Sequence, residues 1–295
     1  MASIPSLPVT NTPPTRTRRP RYSVLVTVFF ILGAGHACRL GSWATVDSFS
    51  EWHEAPISTE VETSSGTAYF YEASWLGLSL GESVLGSREI GNDPDVFRFF
   101  FEARDIGIAR LFSGRWTRLE TTLGADLVPH RLIVRQERSE VLRERIFEYP
   151  KTEEGELRLL MRDGSIKAPP EGFDSFIDPL AAVHLLRRSE FQPGFRTQMR
   201  VAGGLRFFEM TFSCVGEEDL DWQDRVVPCA LVQVDFTEIN PDGTREPTET
   251  AGRVWIGQDE ERALYRAEYD ASIFTITIDL ARVERIQPEE TRFLY

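Results

Sequence analysis

The chain has 295 residues, of which 41% are hydrophobic and 27% charged, and its formal net charge is −13 at pH 7. This length and composition are typical of a globular protein that can bury a sizeable core. The acidic balance repels a phosphate backbone, so we expect no nucleic acid among its partners.

The first 37 residues have the three-part layout of a secretory signal. A basic stretch precedes an apolar run from Ser23 to about Gly35, and small residues follow before Cys38. The apolar run is too short for a comfortable membrane span. We predict that residues 1–37 are a signal peptide or an uncleaved N-terminal anchor. The body would then be periplasmic or held at the membrane, with membrane contact through the N-terminus.

Cys38 is a lipidation candidate. The residues before it, Gly35-His36-Ala37, fit two interpretations. One is a signal-peptidase site of the small-x-small type, and the other is lipidation of Cys38 as the first residue of a lipoprotein. His36 fits the usual lipoprotein pattern poorly, and both alternatives stay open. Residues 38–66 are largely polar without a sustained period, which predicts a linker.

Short alternating or apolar runs, separated by turn residues, fill the rest of the chain. The first is TAYFYEASWLGLSL and the second is DVFRFFFEAR, which is apolar on both strand faces and is therefore expected to be buried on both sides. Gly203-Gly204 and Asp242-Gly243 are typical of turns. About ten strands with antiparallel connections predict a mainly β fold. We expect a curved antiparallel sheet that closes into a barrel-like or sandwich-like fold with one short helix.

The predicted helix lies in DPLAAVHLLRRSEF. Asp178 can cap its first turn, Pro179 suits the first helical position, and the apolar residues recur at helical spacing. A second stretch, residues 105–112, fits either a short helix or a loop. We assign residues 67–286 to a single β-rich domain and residues 287–295 to a C-terminal tail.

Cys214 and Cys229 are a disulfide candidate. They lie in two strand-like runs on either side of the polar segment VGEEDLDWQDRVVP. Residues equidistant from a hairpin tip face one another, so a cross-strand disulfide is plausible in an exported protein. Two buried free thiols are the alternative.

The order of these stretches resembles a bacterial family of exported proteins catalogued as domain of unknown function 3108. The resemblance begins at YFYEASWLGLSLGES, continues through IARLFSGRWTRLETTLGADLVPHRLIVRQER, and ends at GRVWIGQDEERALYRAEYDASIFTITIDL. It covers about residues 67 to 280. It implies an exported, mostly antiparallel β fold and no established activity. The pair of cysteines and the acidic segment between them depart from the family pattern.

Gly77-Leu78-Ser79-Leu80-Gly81 matches the nucleophile elbow of serine hydrolases. That elbow requires a strand, a sharp turn at the serine and a following helix. Ser79 instead lies within strand-like alternation, and no amphipathic helix follows it. The match is therefore expected to be coincidental, and the glycines are expected to permit sheet curvature or the close approach of another element.

No other motif indicates catalysis, a metal or a cofactor. His53, His130 and His184 lack paired metal-ligand spacing, and no glycine-rich phosphate loop opens a helix. The acidic segment lacks the pattern of a calcium loop and is expected to be a solvated hairpin tip. Its acidic residues are Glu217, Glu218, Asp219, Asp221 and Asp224. We therefore expect no cofactor, no metal and no identifiable catalytic residue.

Aromatic side chains on or beside the predicted strands either fill the core or line an apolar groove. They are Trp75, Phe97, Phe99, Phe100, Phe101, Phe112, Trp116, Phe207, Phe208, Phe212 and Trp255. The leading hypothesis is a non-enzymatic envelope protein that binds a lipid or another apolar or amphipathic component. The second is a module that docks an envelope protein, and the third is an unrecognised hydrolase.

Overall fold

The computed structural model describes residues 66–90, 93–106, 115–124, 129–138, 141–149, 158–161, 166–167, 176–203, 206–240, 242–271 and 274–286. The expected signal, linker and tail, together with Cys38, His53 and most of residues 105–112, lie outside these ranges. The described elements are β1 (Gly66–Trp75), β2 (Leu78–Ile90), β3 (Asp93–Asp105), β4 (Arg115–Leu123), β5 (Pro129–Arg138), β6 (Val141–Glu148), β7 (Arg158–Met161), β8 (Ile166–Lys167), α1 (Pro179–Arg188), β9 (Arg196–Gly203), β10 (Arg206–Trp222), β11 (Arg225–Ile239), β12 (Arg245–Gly257), β13 (Leu264–Ala271) and β14 (Phe274–Ile286).

All the described strands belong to one antiparallel sheet of fourteen strands, in the order β8-β7-β6-β5-β4-β3-β2-β1-β14-β13-β12-β11-β10-β9. The expectation of a mainly β fold with one short helix is confirmed. The structure has more strands than the expected ten, in part because the run TAYFYEASWLGLSL forms two strands, β1 and β2, and not one. The turn between them, Leu76-Gly77, contains no Asn or Pro that would have indicated it.

The sheet curls so that distant strands approach one another. Directly after β6, the hydroxyl of Tyr149 lies 3.5 Å from the carbonyl oxygen of Ala202 in β9, although these strands lie near opposite ends of the sheet. Trp222 at the end of β10 donates from Nε1 to the carbonyl of Leu280 in β14, at 2.6 Å. The edge of β9 also pairs with Ile177, the residue before the helix cap. These contacts give the curved, barrel-like closure expected from the strand pattern.

Helix α1 lies on the face of the sheet that we call the inner face. Its cap, Asp178, is fully buried, and its Oδ1 accepts hydrogen bonds from the backbone N–H groups of Leu180 and Ala181 at 2.7 and 3.0 Å. The predicted cap and first helical position are therefore confirmed. Oδ2 lies 2.9 Å from the hydroxyl of Thr121 in β4, which fixes the start of the helix on the sheet.

The prediction that DVFRFFFEAR is buried on both faces is only half correct. Phe99 and Phe101 are buried on the inner face, whereas Phe100 is half-buried on the outer face. There its ring lies over Gly86 of β2, and a Cβ added to that glycine would lie 2.2 Å from the ring. Because Gly86 has no side chain, the Phe100 ring can pack directly against the sheet there and cover part of its outer face.

The predicted Cys214–Cys229 disulfide is wrong for this structure, in which both residues are buried free thiols. The turn of this hairpin is Gln223-Asp224, so Cys214 pairs with Val232 and Cys229 pairs with Glu218. The polar segment continues β10 instead of forming a loop. The two cysteines are therefore at different distances from the turn and do not face each other.

Candidate functional site on the inner face and at the β1–β2 turn

The G-x-S-x-G match is a hairpin. Leu76 and Gly77 form the two-residue turn, with φ angles of 48° and 78°. Ser79 is exposed in β2 and pairs with Ser74, and β2 continues for eleven residues beyond it without a helix. The geometry of a nucleophile elbow is absent at Ser79, as expected from the sequence.

Small side chains form part of the inner face next to this turn. Directly opposed residues on neighbouring strands point to the same face, so the register identifies the set. Tyr71 in β1 pairs with Ser83 in β2, Ser83 pairs with Ala103 in β3, and Ala103 pairs with Thr117 in β4. Ala73 and Gly81 pair one step closer to the turn. We call Ala73, Gly81, Ser83, Ala103 and Thr117 the small-residue floor.

Helix α1 covers the other half of these strands. The ring of His184 lies 4.5 Å from that of Phe99, and Thr121 contacts the helix cap. Tyr69 in β1 accepts a hydrogen bond from Arg187 near the helix end. All three strand residues lie further from the β1–β2 turn than Ser83 and its partners do. The small-residue floor is nevertheless buried, since Ala73, Ser83, Ala103 and Thr117 are only 2–8% exposed.

Ser83 has an unpaired hydroxyl. The residue is 6% exposed, and its Oγ is buried without a hydrogen-bond partner. An unsatisfied buried hydroxyl costs about 1–3 kcal/mol. Such a hydroxyl requires an explanation, and a bound water, an ion or a ligand group each supplies one. Asp105 is also buried on this face, opposite Gly81.

The β1–β2 turn carries apolar side chains into solvent. Trp75 is 37% exposed, Leu76 85% and Leu78 50%. We call residues 75–78 the apolar tip. Leu76 also has the left-handed backbone conformation, which costs a residue with a side chain about 1–2 kcal/mol. The sequence did not indicate this turn, because Leu76-Gly77 differs from the strong hairpin signals Asn-Gly and Asp-Gly.

A polar cluster lies on the inner face around Tyr69, two residues before Tyr71 in β1. Arg187 donates from Nη2 to the Tyr69 hydroxyl at 2.6 Å and to the carbonyl of Glu261 at 2.7 Å, and from Nε to the carbonyl of Arg262 at 2.9 Å. It also lies over the Tyr69 ring, with 4.3 Å between Cζ and the ring centroid. Burial raises the pKa of the neighbouring Tyr71. These contacts join α1 to β1 and to the turn between β12 and β13, which is a structural role.

The described titratable residues that the sequence singled out lie on separate elements. Burial, followed by the charges of Arg187 and Arg188, lowers the pKa of His184 to about 4, so its imidazole is neutral at pH 7. His130 lies in β5, on a different element. The acidic residues of the β10–β11 hairpin are exposed, as predicted. Within the described ranges, no three His, Cys, Asp or Glu side chains form a group that could hold a metal ion.

Five of the eleven predicted aromatic residues are buried in the core. Phe99, Phe101, Phe208, Phe212 and Trp255 are buried in one contiguous apolar cluster. The others that the structure describes are half-buried, apart from the exposed Trp75. These five aromatic residues therefore belong to the core, which is the first of the two interpretations of the sequence.

The family model of DUF3108, described as a protein of unknown function, matches residues 70–281. The chain belongs to this family. Its sequence has no match among the curated proteins.

A solved structure resembles the DUF3108 chain in fold, and two others align with lower TM-scores. A β-barrel-like protein of domain of unknown function DUF1849 from Brucella abortus aligns with a TM-score of 0.53 at 11% identity, over 76% of this chain and 98% of that one. The hypothetical lipoprotein YmcC from Escherichia coli aligns with a TM-score of 0.29 at 13% identity, over 79% and 91%. An inferred exported protein with a YmcC-like fold from Bacteroides fragilis gives 0.31 at 11%, over 76% and 96%. The first of these likenesses supports the barrel-like fold of the DUF3108 domain.

Within the described residues of the DUF3108 chain, no helix combines the length and apolar character needed to cross a membrane.

Proposed function

We propose that this DUF3108 protein is an exported envelope protein that binds an apolar or amphipathic component on the small-residue floor. The observation that carries the proposal is the buried, unpaired hydroxyl of Ser83 among small side chains. Small side chains accommodate an apolar chain, and the hydroxyl can donate a hydrogen bond to an ester, amide or carboxylate oxygen of the same ligand. A lipid combines both kinds of group.

Export is supported by the N-terminal sequence. The basic stretch, the apolar run and the small residues before Cys38 together direct a chain out of the cytoplasm. Cys38 then either follows a cleaved signal or carries the lipid of a lipoprotein. An envelope location would bring the DUF3108 domain into contact with lipids, which is the ligand class that the small-residue floor suits.

Native mass spectrometry of the protein purified from membranes and from the soluble exported fraction tests export directly. We expect a chain that has lost residues 1–37, and lipidation adds a diacylglyceryl-plus-acyl mass to a chain that begins at Cys38. An intact, unmodified chain found only in the cytoplasm contradicts the proposal. An intact chain in the membrane fraction identifies an uncleaved anchor.

The same spectra test ligand binding. We expect a non-covalent, lipid-sized mass on the native protein that denaturation removes. Ser83→Val, which removes the hydroxyl, and Ala103→Leu, which fills the small-residue floor, should each lower the liganded fraction several-fold. Ser213→Leu is the matched control, because Ser213 is half-buried in β10 and distant in the sheet from the floor.

Thermal unfolding of each variant separates loss of the ligand from loss of the fold. Wild-type protein that purifies folded but without any retained ligand overturns the binding proposal. The second hypothesis, a module that docks an envelope protein, then takes its place. The hydrolase hypothesis has no supporting geometry at Ser79.

A further inference from the structure

Leu76, in the apolar tip at the β1–β2 turn, gains little from the fold of the isolated chain. Leu76 is 85% exposed and has a φ of 48°, so its side chain contributes little burial while its backbone is strained. The usual residues at the first position of such a turn are Asn, Asp and Gly, which tolerate this conformation. A leucine at this position is explained by a partner that buries it.

Charge and composition indicate the chemistry of that partner. The segment from Ser74 to Gly81 contains no charged residue, although the chain carries a net charge of −13. Tryptophan with leucine on an exposed turn suits the boundary between lipid headgroups and acyl chains. We propose that the apolar tip inserts into the surface of a lipid bilayer.

The N-terminal chain allows this contact. Residues 38–65 can span at most on the order of 90 Å when extended. Strand β1, which begins at Gly66 and leads to the apolar tip, has 10 residues and is about 33 Å long. A chain attached to a bilayer near Cys38 therefore has enough length for the tip to reach that same bilayer.

Tryptophan quenching in the full chain tests the insertion. The purified full chain is bound to phosphatidylcholine vesicles that contain a nitroxide-labelled lipid, and its fluorescence is compared with that of Trp75→Phe. The chain has six tryptophans, so the difference between the two proteins isolates Trp75. We expect this difference signal to be quenched by the nitroxide lipid. Equal quenching of the two proteins overturns the proposal.

The paired variant Leu76→Asn with Leu78→Ser separates insertion from folding. Asn suits the left-handed position at Leu76, so the variant is expected to fold. It should abolish most of the Trp75 quenching. It should also weaken the binding that the apolar tip contributes to the vesicles by about tenfold or more. Val226→Asn is the control, since Val226 is 60% exposed beside the β10–β11 turn and should leave both signals unchanged.

The outcomes also distinguish other occupants of the apolar tip. Unquenched Trp75 together with self-association that the paired variant abolishes identifies a second copy of the chain as the occupant and overturns the proposal. An equal loss of quenching in Val226→Asn overturns it as well, because general adsorption then accounts for the signal. Ligand retention on the small-residue floor is measured by mass spectrometry without vesicles. A negative result in that experiment therefore leaves the proposal of membrane insertion untouched, and the reverse also holds.

Discussion

At the scale of single residues, the two positions of the β1–β2 turn differ in what their backbone conformation requires. Gly77 has a φ of 78°, and a Cβ added there would meet nothing within 4 Å. Its substitution therefore measures backbone strain alone. Gly216 in β10 also has open space around its missing Cβ, but its φ lies outside the left-handed range.

We expect Gly77→Ala to destabilise the protein by about 1–2 kcal/mol, because alanine is strained in the left-handed conformation. Gly216→Ala, the matched control, should change the free energy of unfolding by less than about 0.5 kcal/mol. Urea unfolding of the two variants measures the difference. Equal effects would show that the turn does not impose the left-handed conformation.

Asp178 is a buried carboxyl group without a cationic partner among its recorded contacts. Burial raises its pKa from 3.8 to about 6, against hydrogen bonds that favour the charged form. Because the pKa is raised in the folded state, the stability from this group is complete below about pH 4. It is lost as the pH rises through 6.

We expect Asp178→Asn to remove the loss of stability between pH 4 and pH 6, because Asn does not ionise. The helix cap should remain, since Asn and Asp cap equally well. At pH 7 the variant should be more stable than the wild type, by on the order of 1–3 kcal/mol. Thermal unfolding between pH 4 and pH 8 measures the two profiles.

His184 has the opposite effect on the pH dependence of stability, and it has this effect in both proteins. Its pKa is lowered to about 4 in the folded state, so its contribution falls as the pH drops below the ordinary value of 6.5. The two residues thus oppose each other between pH 4 and pH 6.5. Asp178→Asn should therefore reveal a steeper rise of stability with pH, and unchanged pH dependence would contradict the assignment.

At the scale of elements, one side chain attaches the helix end to two distant parts of the sheet. Arg187 donates to the hydroxyl of Tyr69 in β1 and to the carbonyls of Glu261 and Arg262 in the turn between β12 and β13. Arg262 in turn donates from Nη1 to the carbonyl of Ser189, directly after the helix. Hydrogen bonds in both directions therefore connect the β12–β13 turn to the end of α1.

Arg187→Ala should destabilise the protein by about 2–4 kcal/mol, because hydrogen bonds to a charged group are lost and carbonyl groups are left unpaired. Arg188→Ala is the matched control, since this neighbour in the sequence is exposed and should change stability by less than about 0.5 kcal/mol. Urea unfolding compares the two. An equal loss in both variants would indicate a general effect on the helix.

The elements also show how far local patterns predict structure. Helix α1 was predictable because its cap, its proline and its period all lie within one segment. The β1–β2 turn was hidden because Leu76 supplies an unusual turn residue inside a continuous apolar run. The cysteine pairing failed because the turn lies at Gln223-Asp224 and not midway between the cysteines, and the position of the turn sets the register.

At the scale of the whole molecule, the first and last strands pair with each other and unite the two halves of the chain. β1 lies between β2 and β14, and the buried residues form one cluster that spans both halves. We expect a single cooperative unfolding transition for the described sheet. Circular dichroism and tryptophan fluorescence should report the same midpoint, and two separate midpoints would show that the halves unfold independently.

The sequence by itself determined the β-rich class, the capped helix and the exposure of the acidic residues near the β10–β11 turn, because each depends on neighbours within a few residues. The order of the strand-like runs along the chain determined the family. Only the tertiary structure decided that Ser83 lies buried beside Ala103, that Phe100 covers Gly86 on the outer face, and that the two cysteines lie apart. These features depend on which strands become neighbours and in which register. That choice is made by burial across the whole sheet, which no local pattern encodes.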